Sequence, residues 1–85
     1  MTYRIVVTAT ASKEFKRLDP QIQARVKTVL GALKEEPRPS GVKKLSGRDM
    51  DWRVRLGEYR ILYEIDDSER RVTVWRIVHR SSAYR

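Results

Sequence analysis

The fold is decided by residues 52–65, which read WRVRLGEYRILYEI. Apolar side chains alternate with Arg53 and Arg55 in the first half of this stretch, and the same period of two resumes after Gly57 and Glu58. Such alternation is typical of a strand with one buried face, and a two-residue connection that contains glycine is typical of a tight hairpin. The stretch therefore predicts two antiparallel strands joined by a short turn.

The flanking sequence adds two further strands. A turn at 66–70 leads into the apolar run 72–78, which predicts the next strand of an antiparallel meander. Near the start of the chain, β-branched residues predict a strand over 2–8 that returns to the same sheet.

Two helices are predicted between the first strand and the hairpin. The first carries apolar residues at helical spacing around Phe15, with Thr10 or Ser12 as its cap. Asp19 followed by Pro20 is a start signal for the second, which continues to near Glu36. The predicted fold class is α+β: an N-terminal strand, a two-helix hairpin and a three- to four-stranded antiparallel β-meander, with one sheet and one helical layer.

Length and composition fit a single domain over residues 1–85. The chain is 40% hydrophobic and 35% charged, which suffices for one modest core. No apolar run approaches the roughly 20 residues that span a bilayer, so we expect no membrane partner. With no Cys and one His, the chain cannot build a disulfide or a Cys/His zinc site, and we expect neither a metal nor a small-molecule cofactor.

Basic charge is the main functional signal. The net charge of +8 predicts attraction to nucleic acid or to an acidic protein, and residues 70–85 contain five arginines and no carboxylate. Pleat geometry puts Arg53 and Arg55 on one face of their strand. Arg60 begins the next strand close to that pair, and Arg80 ends the last strand. Since guanidinium is well suited to phosphate, these arginines predict either a basic concavity for an RNA backbone or a solvated strand face.

The C-terminal residues offer acid-base groups. His79, Arg80 and Tyr84 bring an imidazole, a guanidinium and a phenol close together along the chain. RNA can be cut by attack of its own 2′-hydroxyl on the adjacent phosphorus, which needs a proton acceptor, cations for the phosphoryl charge and an acid for the departing 5′ oxygen. The segment contains candidates for all three, although its spacing also fits a structural histidine and a packed tyrosine.

Four short motifs follow one another in a distinctive order. They are KKLSG at 43–47, WRVRL at 52–56, YRILY at 59–63, and IVHR at 77–80 followed by Tyr84. Their order and spacing resemble the RelE/ParE superfamily of toxins from bacterial toxin-antitoxin pairs, specifically its RelE-like branch. The likeness covers nearly the whole chain.

The resemblance implies a ribosome-dependent messenger RNA endonuclease, that is, a metal-independent endoribonuclease acting in the 30S decoding site. The 2′-hydroxyl would be the nucleophile and a cyclic phosphate the product. The resemblance also implies a cytoplasmic toxin silenced by an acidic RelB-like antitoxin. A cationic sheet surface and the apolar stripe of the helix at 20–36 would suit such a partner.

The same resemblance assigns catalytic roles. Arg53 and Arg55 would contact phosphate or help to activate the 2′-hydroxyl, and Arg60 would stabilise the transition state. Arg80 would lie near the leaving group, and Tyr84 would stack on a base and orient the nucleotide.

Further basic residues are expected to bind RNA, namely Lys43, Lys44, Arg76 and Arg85. The identity of the proton acceptor stays open, because guanidinium hardly ever releases its proton. His79 is a candidate, since imidazole can act as acid or base near neutral pH. His79 and Arg80 would point to opposite faces of a regular strand, and Arg80 is the one expected in the site.

Two other functions also stay open. The ParE-like branch of the superfamily inhibits DNA gyrase, which would make this chain a protein-binding inhibitor rather than an enzyme. A non-catalytic RNA-binding module would need only the basic strands. The combination of Arg60, Arg80 and Tyr84 favours the nuclease.

Overall fold

A mixed sheet and two helices make up the fold, as predicted for the α+β class. The computed structural model describes residues 2–38, 43–44 and 51–81, with 43, 44 and 51 described by their backbone alone. The elements are β1 (Arg4–Val7), α1 (Ala9–Lys16), α2 (Pro20–Glu35), β2 (Lys43–Lys44), β3 (Asp51–Leu56), β4 (Tyr59–Asp66) and β5 (Arg71–His79). Across these ranges, neither helix is long and apolar enough to cross a membrane.

The sheet has the strand order β1-β5-β4-β3-β2. Strands β2 to β5 pair antiparallel in sequence, which confirms the predicted meander and its two turns. The first strand does return to the sheet, but it pairs parallel with β5, with Arg4 opposite Arg71. The sheet is therefore mixed, and not antiparallel throughout.

The cap of α1 differs from the prediction of Thr10 or Ser12. Thr8 is the cap: its backbone is extended, and its Oγ1 accepts a hydrogen bond of 3.2 Å from the Ala11 N–H. Because the helix already begins at Ala9, β1 ends at Val7 and is shorter than the predicted 2–8. The start of α2 at Pro20 agrees with the prediction.

The core lies between the helices and one face of the sheet. Val26 and Leu33 of α2 and Ile61 and Tyr63 of β4 are all at most 1% exposed. The Tyr63 hydroxyl donates a hydrogen bond of 2.7 Å to the carbonyl oxygen of Pro37, so this buried polar group is satisfied.

The apolar stripe of α2 packs on this core. Val26 and Leu33 are members of the core cluster, and Ile22, Val29 and Leu30 pack against it. The stripe thus packs largely within the fold, and its contact with an antitoxin stays a prediction.

Three side chains form a clamp that fastens the residues after α2 to the turn between β4 and β5. Arg38 makes a bidentate ion pair with Asp67, at 2.9 and 3.2 Å, and the Tyr3 hydroxyl donates to the same carboxylate at 2.6 Å. The Arg38 guanidinium also lies 5.3 Å from the centre of the Trp52 ring, a cation-π distance.

Acid should weaken this clamp. Hydrogen bonds from Arg38 and then Tyr3 lower the pKa of Asp67 below its usual range. A carboxylate whose pKa is lower in the folded state than in the unfolded state stabilises the protein. This stabilisation is complete above the pKa of the unfolded state, near 4, and is lost as the pH falls through the pKa of the folded state. In thermal unfolding between pH 7 and pH 2, Tm should fall less steeply below about pH 4 for Asp67→Asn than for the wild type. Glu64→Gln, an exposed carboxylate change, should keep the wild-type slope; equal slopes for all three proteins would contradict this prediction.

Candidate nucleic-acid interface

Strand pairing brings the predicted arginines of β3 and β4 together. Arg55 lies directly opposite Arg60 across the hairpin. Arg53 lies two residues before Arg55 and therefore on the same face of β3. This face is the reverse of the one that the helices cover, because the neighbours Trp52, Val54 and Leu56 belong to the core or pack against it.

Arg80 joins this group from the end of β5. Val78 is the partner of Arg60, and Arg80 follows two residues later. The Arg80 N–H donates to the Glu58 carbonyl oxygen at 2.7 Å, and its Nε lies 3.0 Å from the Glu58 carboxylate. Both side chains are mostly exposed, so the ion pair orients Arg80 more than it stabilises the fold.

The charges of the other three arginines act on Arg60. Partial burial lowers the pKa of Arg60, and the charges of Arg53, Arg55 and Arg80 lower it further, with Glu58 acting in the opposite sense. Because salt largely screens exposed charges that lie more than about 10 Å apart, these residues lie near one another. We call these residues, Arg53, Arg55, Arg60 and Arg80, the arginine cluster.

An apolar floor underlies the arginine cluster. Leu62 and Val78 are the cross-strand partners of Arg53 and Arg60, and both are only 6% exposed. These apolar side chains exclude water from the space beside the guanidinium groups and so reduce solvent screening. The guanidinium groups therefore attract an anion more strongly there than they would at an open surface.

His79 lies apart from the arginine cluster. It pairs with Tyr59, and the two rings meet edge to face with centroids 5.4 Å apart. Its Nδ1 lies 2.9 Å from the Ser81 hydroxyl. Because alternate residues of a strand point to opposite faces, Arg80 and not His79 shares a face with Arg60.

Arg76 is engaged by a carboxylate that sequence reasoning missed. Its Nε donates to Glu14 of α1 at 2.8 Å, and the other carboxylate oxygen of Glu14 accepts the Ile77 N–H at 2.8 Å. The pairing of β1 with β5 ends at Val7, and beyond that point Glu14 takes the place of a neighbouring strand along this edge of β5. With its guanidinium held by α1, Arg76 is a weaker candidate for RNA than the sequence alone suggests. Glu14 and Arg76 are too far apart along the chain for any local pattern to reveal the contact.

Removing the Glu14 carboxylate should destabilise the fold. Glu14→Ala leaves the Ile77 N–H without its acceptor, and the loss of this partly buried hydrogen bond costs about 0.5–1.5 kcal/mol of unfolding free energy. Glu14→Gln keeps an acceptor oxygen and should lose less. Urea unfolding monitored by circular dichroism would measure both changes. Glu64→Ala, on the exposed side of β4, is the control. If Glu14→Ala destabilised the protein no more than this control, Glu14 would have no role in satisfying the edge of β5.

Four predicted residues fall partly or wholly outside this description. Lys43 and Lys44 form β2, where the backbone of Lys43 is in register with Arg53. Tyr84 and Arg85 lie outside the described residues.

Comparisons with known proteins agree on one superfamily. A family model described as the ParE toxin of type II toxin-antitoxin systems matches residues 5–84. "Toxin RelE" of Mycobacterium tuberculosis is 36% identical over 98% of this chain and 87% of the relative, and "Toxin RelG" of the same organism is 36% identical over 100% and 99%. The archaeal RelE-RelB complex from Pyrococcus horikoshii matches with a TM-score of 0.86 and 27% identity, over 98% of this chain and 100% of that one.

Proposed function

We propose that this chain, which belongs to the ParE toxin family of type II toxin-antitoxin systems, is a toxin that cuts messenger RNA on the ribosome. The substrate is an RNA strand in the decoding site of the 30S subunit, so the protein acts in the cytoplasm. The reaction is attack of a 2′-oxygen on the adjacent phosphorus, with loss of the 5′-oxygen and formation of a cyclic phosphate.

The arginine cluster is the observation that carries this proposal. Negative charge accumulates on the phosphoryl oxygens as the new P–O bond forms and the old one breaks, and fixed cations lower the energy of that state. Arg60 lies opposite Arg55 on one side and next to the end of β5 on the other, and this pairing supports a shared role in binding one phosphate.

The cluster provides charge and not a base. Guanidinium stays protonated near neutral pH even when neighbouring cations lower its pKa. Arg53 and Arg55 are therefore assigned to phosphate contact, Arg60 to stabilisation of the transition state and Arg80 to the leaving group. The role of Tyr84 as a stacking residue stays a prediction.

The names of the relatives favour messenger cleavage over the alternative. Both curated toxins at 36% identity are named RelE or RelG. The matching family model, however, carries the name of ParE, which keeps gyrase inhibition as the second candidate function.

An acidic RelB-like antitoxin is the proposed partner. The matching archaeal structure is a RelE-RelB complex. In this chain the arginine cluster offers the charge complementarity that such a partner would need, and a bound acidic segment would cover the groups assigned to catalysis.

Cleavage of a defined message on programmed ribosomes tests the proposal. We expect fragments that end in a cyclic 2′,3′-phosphate, the product of attack by the 2′-hydroxyl. Linear 5′-phosphate ends would exclude the 2′-hydroxyl as nucleophile. Inhibition of gyrase supercoiling without message cleavage would move the assignment to the second candidate.

A further inference from the structure

We propose a second anion-binding site, at the opposite end of β5 from the arginine cluster, that holds the phosphate backbone of the same RNA; this inference rests on the proposed function. The site is an open depression of about 530 Å³. It is lined by Thr2, Tyr3, Arg4, Ile5, Lys34 and Arg70.

Three separate segments form this depression, and the backbone locks them together. The Tyr3 N–H donates to the carbonyl oxygen of Lys34 at 2.8 Å, at the end of α2. The Arg4 N–H donates to the carbonyl oxygen of Arg70 at 2.7 Å, at the turn before β5. Backbone hydrogen bonds therefore hold Arg4, Lys34 and Arg70 near one another, and their proximity does not depend on the conformations of long side chains.

The cations of this site are available to a ligand. Among the residues that the structure describes, Arg4, Lys34 and Arg70 take part in none of the ion pairs. The aspartates of the adjacent turn are committed elsewhere: Asp67 binds Arg38 at 2.9 Å and Asp66 binds Arg71 at 3.3 Å. Glu35 and Glu69 adjoin Lys34 and Arg70 along the chain and likewise form no ion pair within the described ranges.

The lining fits a phosphate backbone better than a protein segment. An amphipathic peptide that folds on contact needs apolar contacts as well as charge, and among the described residues of the lining Ile5 is the one aliphatic side chain. Phosphate contacts need only cations, N–H groups and hydroxyls such as that of Thr2.

The separation of the two sites predicts the length of the ligand. Arg70 and Arg80 bracket β5, and a strand rises about 3.3 Å per residue, so the two sites lie about 30 Å apart. At about 3.4 Å per phosphate along one stacked strand, this span corresponds to about nine nucleotides. A short RNA fragment can therefore fill one site only, whereas a long strand can reach both.

The test compares two doubly substituted proteins of equal charge. Arg4→Gln combined with Arg70→Asn removes two cations of the site, and Lys13→Gln combined with Lys16→Gln removes two exposed cations of α1. The probes are single-stranded 2′-O-methyl RNAs of 5 and 20 nucleotides, which cannot undergo 2′-hydroxyl attack, with binding followed by fluorescence anisotropy. For the 20-mer we expect the Arg4/Arg70 variant to lose about 10- to 30-fold in affinity at 0.1 M salt, and the salt slope to fall by about 1.4. For the 5-mer the loss should stay within about twofold, as in the control.

Stability provides an independent check that the loss is not unfolding. Arg70 has φ of 50°, in the left-handed region that asparagine adopts more readily than arginine. Arg70→Asn should therefore keep or raise Tm while it lowers RNA affinity, and Arg70→Lys should retain the affinity.

Three outcomes would overturn parts of this account separately. Equal losses in the two double variants would refute the second site. Lower affinity for polyglutamate with unchanged affinity for the 20-mer would assign the depression to an acidic protein instead. Binding of the 5-mer that is insensitive to Arg60→Ala would count against the proposed function but not against the second site.

Discussion

Replacing Arg60 with alanine should reduce message cleavage on ribosomes by about 10²- to 10³-fold, the loss typical of removing one fixed charge-stabilising donor from an active site. The loss should be in kcat, because the charge that Arg60 meets is largest in the transition state. Arg60→Lys keeps the positive charge but loses the planar fork, so it should recover part of the rate. Single-turnover cleavage at saturating toxin would separate this effect from weaker ribosome binding.

A matched control is available in the helical layer. Lys13 is exposed on α1, so Lys13→Ala changes the net charge equally without touching the arginine cluster. Its cleavage rate should stay within about threefold of the wild type, since distant surface charge affects mainly association. Equal rates for Arg60→Ala and Lys13→Ala would remove Arg60 from the mechanism.

Truncating Ile61 should have the largest effect on stability. Ile61 is fully buried and sits in the sheet between Val54 and Ile77. Ile61→Ala should lower the unfolding free energy by about 2–5 kcal/mol, and Ile61→Val by about 0.5–1.5 kcal/mol, because the larger truncation leaves a cavity that the sheet cannot close. Urea unfolding curves with a common m-value would measure both.

A small and equal loss of unfolding free energy for Ile61→Ala and Ile61→Val would contradict this prediction. It would mean that the sheet closes around the missing atoms and that the core is not tightly packed at this position. For a domain of this size the alanine variant should also melt at least about 8 °C lower, at about 4–8 °C per kcal/mol.

The convergence of Arg55 and Arg60 was predictable because a two-residue turn fixes the register of a hairpin. The alternation of apolar and polar residues then predicts which side chains share a face of the sheet, and Asp19 followed by Pro20 predicts the start of α2. These features depend only on residues that are close together in the sequence, so the local sequence pattern is enough to predict them.

Other features depend on contacts between distant segments, which one sequence does not reveal. The parallel pairing of β1 with β5, the register shift between Leu62 and Tyr63, and the capture of Arg76 by Glu14 all belong to this class. The ion pair between Arg38 and Asp67 is another such long-range contact, since the sequence around each residue predicts only a polar loop. The cap of α1 was missed for a different reason: three candidate hydroxyls occur within five residues, and only the backbone angles select Thr8.

The parallel pairing of β1 with β5 also has a consequence for biosynthesis. Translation delivers β1 and both helices first, yet the strand that β1 binds is the last to be made. A nascent chain therefore has no partner for its first strand until translation has passed β5, and Arg80, at the end of that strand, is the last of the four guanidinium groups to arrive.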